Sequence, residues 1–260
     1  MRRYRFLILG IGVVLCVGML YAGKKNENWM DKPYTQWEQK QVAELFNKSA
    51  WVVSKSFRGQ ATGMHGTAAD MGGGAATNGA VTGTGGGTKG VDVPEFSFTA
   101  RLFSAQPVRE AYVRMLQIMN HYDTLSPDKQ HAFDQKVDGM LHFDVSQKVV
   151  IMLAYQTNDP NSKRDMDQWF NTQTTATLVQ NAYLFSPIAG QLELVQYFPP
   201  SQNGGLGAQF IFPRNFKGEP ILQPGAGKMR FQLSYQPQIG QVMYVDFDPK
   251  QMTYKDQLSY

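Results

Sequence analysis

The chain has 260 residues, 42% of them hydrophobic and 12% aromatic, with a formal net charge of +4. That is enough chain to bury a sizeable core in one large domain or two small ones. Without Arg2, Arg3 and Arg5 at the start, 22 basic side chains face 21 acidic ones, and this near-neutrality argues against nucleic acid as a partner, because such binding draws on clustered positive charge.

The same three arginines precede an uncharged run from Phe6 to Gly23. A basic segment followed by an apolar one is the pattern of an export signal. The expectation is cleavage near Ala22 and delivery to the periplasm or cell envelope, the alternative being retention of residues 6–23 as an inner-membrane anchor. Cys16 follows Val13-Val14-Leu15 instead of the small residue that a lipoprotein signal places before its cysteine, and reads as an ordinary apolar residue of the signal. It is the only cysteine, so the exported part has no disulfide and no thiol chemistry.

After a polar spacer, Lys32 to Trp37 reads KPYTQW. Thr35 and Glu38 have capping-box spacing, and Trp37, Val42, Leu45 and Phe46 fall on one side of the predicted helix. A strand is predicted over Trp51–Phe57. Residues 59–90 then hold 12 glycines, with mostly Ala, Thr and Asn between them; such a segment buries too little apolar area to offset its ordering entropy and reads as a flexible loop. The next strand, Glu95–Phe103, alternates Phe96, Phe98, Ala100 and Leu102 with polar residues. The two strands flanking the loop are expected to pair antiparallel, since closure entropy grows only with the logarithm of loop length.

The period then changes from two to 3.6. Val108, Ala111, Tyr112, Met115, Leu116 and Met119 form the apolar stripe of a helix, with Ser104 as its expected cap and Glu110 placed to pair with Arg114. A second helix opens at Ser126-Pro127 and turns Phe133, Val137, Met140 and Leu141 inward. Lys148–Tyr155 contains VVIML, an apolar run that suits a strand covered on both faces. A further helix is predicted from near Ser162 to about Ala176, with Met166, Trp169 and Phe170 inward. The remaining strands are expected at Leu178–Phe185, Gln191–Phe198, Ala208–Phe212, Lys228–Tyr235 and Gln241–Phe247, with turns at Asn203-Gly204-Gly205 and Pro237–Gly240 and a last edge strand within Met252–Tyr260. The predicted class is α+β: N-terminal helices packed on a mixed sheet, followed by a largely antiparallel β-rich C-terminal region. Residues 24–58 and 91–260 form one domain in this reading, and any break into two lobes falls near 160–180.

Several short motifs carry a resemblance. Lys32-Pro33-Tyr34, Ser49-Ala50-Trp51, Pro107-Val108-Arg109-Glu110-Ala111, Phe212-Pro213-Arg214, and Phe247 through Met252 and Tyr254 to Leu258 resemble the conserved points of a group of uncharacterised exported proteins from acidobacteria. Ala50 stands where those proteins have proline. The resemblance implies export and a shared fold, and brings no activity with it.

No residue stands out as catalytic, cofactor-binding or metal-ligating. Gly85 to Gly90 matches G-x-G-x-x-G, but a glycine tract precedes it and Val91-Asp92-Val93-Pro94 follows, so the strand and helix that would aim amides at a pyrophosphate are missing. His65, His121, His131 and His142 show no metal-ligand spacing. Asp165 and Asp167 are read as acids favouring a helix start, and Asp246 and Asp248 as outward neighbours of Phe247. Asn47-Lys48-Ser49 fits a glycosylation acceptor by chance. The expected role is therefore non-enzymatic binding or scaffolding in the cell envelope, with another envelope protein or a peptide as partner; a hydrolase using carboxylates or a histidine is the alternative.

Overall fold

In Glu95–Leu102 (β2) the alternation becomes two faces of a sheet: Phe96, Phe98, Ala100 and Leu102 are at most 2% exposed, while Ser97, Thr99 and Arg101 turn the other way. The computed structural model describes residues 29–58, 94–203, 206–235 and 241–260. The segment predicted as an export signal, with Cys16, the glycine-rich segment with His65 and Gly85–Gly90, Gly204-Gly205 and the turn predicted at 237–240 lie outside the described residues.

β2 pairs antiparallel with Val52–Arg58 (β1), from Val52 opposite Arg101 to Arg58 opposite Glu95, as expected across the long connection. Its other neighbour is Lys148–Thr157 (β3). The apolar run Val149 to Leu153 is at most 5% exposed at every position, so both faces of β3 are covered. Ala208–Pro213 (β7) and Gln196–Phe198 (β6) complete a five-stranded sheet in the order β1-β2-β3-β7-β6. A second sheet is built from Ala182–Ser186 (β4), Gly190–Glu193 (β5), Met229–Tyr235 (β10) and Gln241–Phe247 (β11), in the order β11-β10-β4-β5. Two-residue strands form two small hairpins, Asn215–Phe216 (β8) with Glu219–Pro220 (β9) and Thr253–Tyr254 (β12) with Gln257–Leu258 (β13). Every pairing among the described residues is antiparallel, in the N-terminal sheet as well as the C-terminal one.

The two large sheets pack face to face through rings: Phe98 meets Tyr235 at 5.6 Å, and Phe210 and Phe212 meet Phe231 at 5.1 and 6.0 Å. Helix Pro160–Thr172 (α4) inserts Phe170 between them, stacked on Tyr155 of one sheet at 4.3 Å and parallel to Tyr235 of the other at 5.7 Å. Gln39–Lys48 (α1) and Gln106–Met119 (α2) cover the outer face of the five-stranded sheet, and Pro127–Leu141 (α3) packs on α2. One hydrophobic cluster runs through all of this, and the fold is α+β with N-terminal helices and a strand-rich C-terminal region.

Several local expectations are corrected. Residues 34–36 form a 3-10 turn, and α1 starts later, with Glu38 and Gln41 making the capping box in place of Thr35 and Glu38. Ser104 does not cap α2: its Oγ accepts from Val150 N–H, and the amide of Gln106 is met by Ser259 Oγ, 153 residues away in sequence. Glu110 and Arg114 do not pair with each other; each is taken by a more distant partner. Met119, on the predicted apolar stripe, is 68% exposed. Ser126 occupies the cap position of α3 without a capping hydrogen bond. Asp159 caps α4 through Ser162 N–H, so Asp165 and Asp167 sit well inside the helix and not at its start.

Leu178 ends a short helix, Thr175–Leu178 (α5), and not a strand. Gln191–Phe198 divides into β5 and β6, which belong to different sheets. The chain changes sheet at Leu194 and Val195, where Val195 N–H donates to Ile211 at 2.8 Å and leaves its side chain 58% exposed.

Candidate functional site

The outer face of the five-stranded sheet is not fully roofed. The register places Arg101, Met152, Gln209 and Phe198 side by side on β2, β3, β7 and β6, a row about 14 Å long at the usual strand spacing. A cavity of about 480 Å³ opens over its Arg101 end, walled by Val42 and Phe46 of α1 and by Met115, Ile118 and Met119 of α2. Phe103, Met152 and Leu206 are shared with a second hollow of about 330 Å³ that reaches Met140 and Phe143. That hollow shares Gln209 and Asn203 with a third, of about 360 Å³, bordered by Lys148, Gln196 and Phe198. Together they form a trough that crosses the strands, within the size range of small-molecule sites.

Its lining is mostly apolar and rich in methionine, a side chain whose three rotatable bonds fit irregular occupants. Among the described residues no aspartate, glutamate or histidine lines any of the three hollows; the side chains there that carry charge at neutral pH are Arg101 and Lys148. Lys148 is exposed and sits over the Phe143 ring at 5.4 Å. Arg101 is half-buried. Its guanidinium lies 5.3 Å from the Phe46 ring centroid, and Nε donates to Phe46 O at 3.3 Å. Burial holds its pKa below the usual arginine value, and among the described residues its Nη atoms make no hydrogen bond and face no carboxylate.

A second polar region lies inside α2, and it is fully committed. Arg109 donates to the carbonyls of Phe103 and Ser104 and, at 3.4 Å, to Leu141 at the end of α3. Arg114 holds Trp37 O at 2.9 Å, Gln117 at 3.2 Å and Asp123 at 3.3 Å. Glu110 accepts from Gln106, Tyr254 Oη and Lys255. The Glu110–Gln106 and Arg114–Gln117 bonds lie within α2 and the others tie it to its neighbours, and this partnering is how buried charge is tolerated. Sequence periodicity could not reveal this, because Arg109, Glu110, Arg114 and Gln117 occupy what reads as the polar side of the helix.

The histidines and carboxylates singled out from sequence stay apart. His121 lies in the left-handed turn before residues 122–124, His131 faces Gln135, and His142 meets Asp138 at 2.7 Å with both side chains about two-thirds exposed. Asp167 accepts from Tyr155 and Lys163, Asp246 pairs with Arg230, and Asp248 caps the 3-10 turn 249–251. Asn47 donates to Ala43 O in the last turn of α1. Among the described residues, no group of three or more His, Cys, Asp or Glu could hold a metal ion, and no helix is long and apolar enough to cross a membrane. No sequence signal pointed to Arg101, since a single arginine on the polar side of a strand reads as a solvated residue.

No protein-family model matches the chain, and no curated protein matches it. A solved structure described as a novel protein of unknown function from Burkholderia pseudomallei K96243 is similar to it, with a TM-score of 0.41 and 8% identity, over 58% of this chain and 74% of that one.

Proposed function

We propose that this is a non-catalytic binding protein of the cell envelope, and that the trough on the outer face of the five-stranded sheet receives its ligand. The observation that carries this reading is the lining: a trough that is mostly apolar at its Arg101 end, amide-lined toward Phe198, and holds among the described residues no acid or histidine to move a proton. A hydrolase of the carboxylate or histidine type would need at least two such groups converging on one cleft. The N-terminal pattern of arginines and an apolar run supports work outside the cytoplasm.

An uncharged, environment-sensitive apolar dye titrated into the full chain tests the site. Fluorescence should rise with saturable binding, and Ala154→Trp, which fills the first cavity from β3, should abolish the rise while far-UV circular dichroism stays unchanged. Absence of saturable uptake, or uptake indifferent to the filled cavity, would remove the trough as the site. For the compartment, a reporter active only after export is fused behind Tyr260; an inactive reporter would overturn the envelope assignment.

A further inference from the structure

We infer that the occupant of the trough is a long-chain carboxylate, a fatty-acid-like amphiphile, with its carboxylate on Arg101 and its chain laid across β3 and β7 toward Phe198. The inference rests on the trough being the binding site and adds the chemistry of what it takes.

Three features define that chemistry. The first is charge: the two lining side chains that are charged at neutral pH are both cationic, and the more enclosed one, Arg101, has Nη donors with no protein acceptor among the described residues. A weakly hydrated guanidinium against an apolar wall suits a planar carboxylate that takes two parallel N–H bonds. Lys148, at the far end, is exposed and exerts a screened attraction by comparison. The second feature is shape: the row from Arg101 to Phe198 crosses four strands in register over about 14 Å, room for one extended chain. The third is the material of the walls: Met115, Met119 and Met152 beside Phe103 and Leu206 line the Arg101 end and offer a polymethylene chain contact, while the amide side chains of Gln202, Asn203 and Gln209 join the lining toward Phe198. A peptide would bring an amide every residue, and in the cavity at the Arg101 end only Gln39, Asn47 and Arg101 are polar side chains that could meet them.

The test uses cis-parinaric acid and its methyl ester, which differ only in the charged head. The full chain should bind the acid at least tenfold more tightly than the ester. Arg101→Gln should weaken the acid about tenfold, leave the ester unchanged and erase the difference between them, whereas Arg101→Lys should restore part of it and Lys148→Gln should change little. Equal binding of acid and ester by the wild-type protein overturns the carboxylate assignment and leaves the trough standing; this comparison needs no variant to fold. An equal loss of both ligands in Arg101→Gln also overturns it, showing Arg101 to be a wall residue. Failure of both ligands to bind removes the binding site itself. Displacement of the acid by an apolar peptide at lower concentration than by palmitate identifies a peptide ligand and overturns the proposal.

Discussion

Phe170→Ala should cost this protein about 5 kcal/mol. The ring is fully buried and touches three others, stacked on Tyr155 at 4.3 Å, parallel to Tyr235 at 5.7 Å and edge-on to Trp169 at 4.7 Å. Removing a buried phenylalanine generally costs about 3–5 kcal/mol, and ring pairs add roughly 0.5–1.5 kcal/mol beyond area burial, which places this site at the upper end. Because Phe170 joins the two sheets, neighbouring backbone can close the void only by moving one sheet relative to the other. For a chain of this size each kcal/mol lowers Tm by about 2–4 °C, so the variant should melt roughly 10–20 °C lower. Urea unfolding should show a reduced midpoint with an unchanged slope. Phe170→Leu keeps most of the volume and loses the stacking, and should cost about 1–2 kcal/mol. A loss below about 2 kcal/mol for Phe170→Ala would refute the argument, and two separate transitions would mean that the sheets unfold as independent lobes.

The backbone offers a sharper contrast. Gly207 has φ +105°, and a Cβ there would lie 2.3 Å from Leu153 O on the neighbouring strand, so Gly207→Ala should lose about 3 kcal/mol or more in chemical denaturation, whereas Gly190→Ala, at φ +73° with nothing within 4 Å, should lose about 1 kcal/mol. A second contrast is with pH. Burial raises the pKa of Tyr112, Tyr155, Tyr197, Tyr235 and Tyr254, and burial together with Asp134 pushes Tyr122 up to about 12. The folded state therefore keeps protons that the unfolded chain releases near pH 10, and the stability these groups contribute is complete below that value and lost as pH climbs through the folded values. The phenolate absorbance of these six buried or hydrogen-bonded tyrosines should appear together with loss of tertiary structure above about pH 11; gradual ionisation of the full tyrosine complement from about pH 10 in a still-folded protein would contradict it.

What the sequence made legible follows from how far each signal reaches. The alternation in β2 and the apolar run in β3 were sufficient because a sheet face repeats its environment every second residue. The β1–β2 pairing was readable across the long connection because both strands carried their own pattern. Capping was misread at Thr35 and Ser104 because a hydroxyl near a helix start has several amides to choose from, and the choice at Ser104 was made by Val150 in another strand. The switch of sheets at Leu194–Val195 left no trace, since both halves of Gln191–Phe198 look like strand. The trough was invisible for the same reason as the α2 hub: it depends on which cross-strand neighbours Arg101 receives, and Met152 and Gln209 are supplied by segments about 50 and 110 residues downstream.

The closing hairpin gives the N-terminal half a debt in time. Trp51 Nε1 donates to Ser259 O at 2.7 Å, the first amide of α2 donates to Ser259 Oγ, and Glu110 accepts from Tyr254 Oη. These partners stand 208, 153 and 144 residues apart. While the chain is being delivered from its N-terminal end, an indole, a helix terminus and a carboxylate must remain wet until the last nine residues arrive, and contacts of such separation are slow to close. The early strands and helices can assemble, but they cannot seal. Any protease that meets the chain before residues 252–260 have joined it therefore meets a half-finished surface around Trp51.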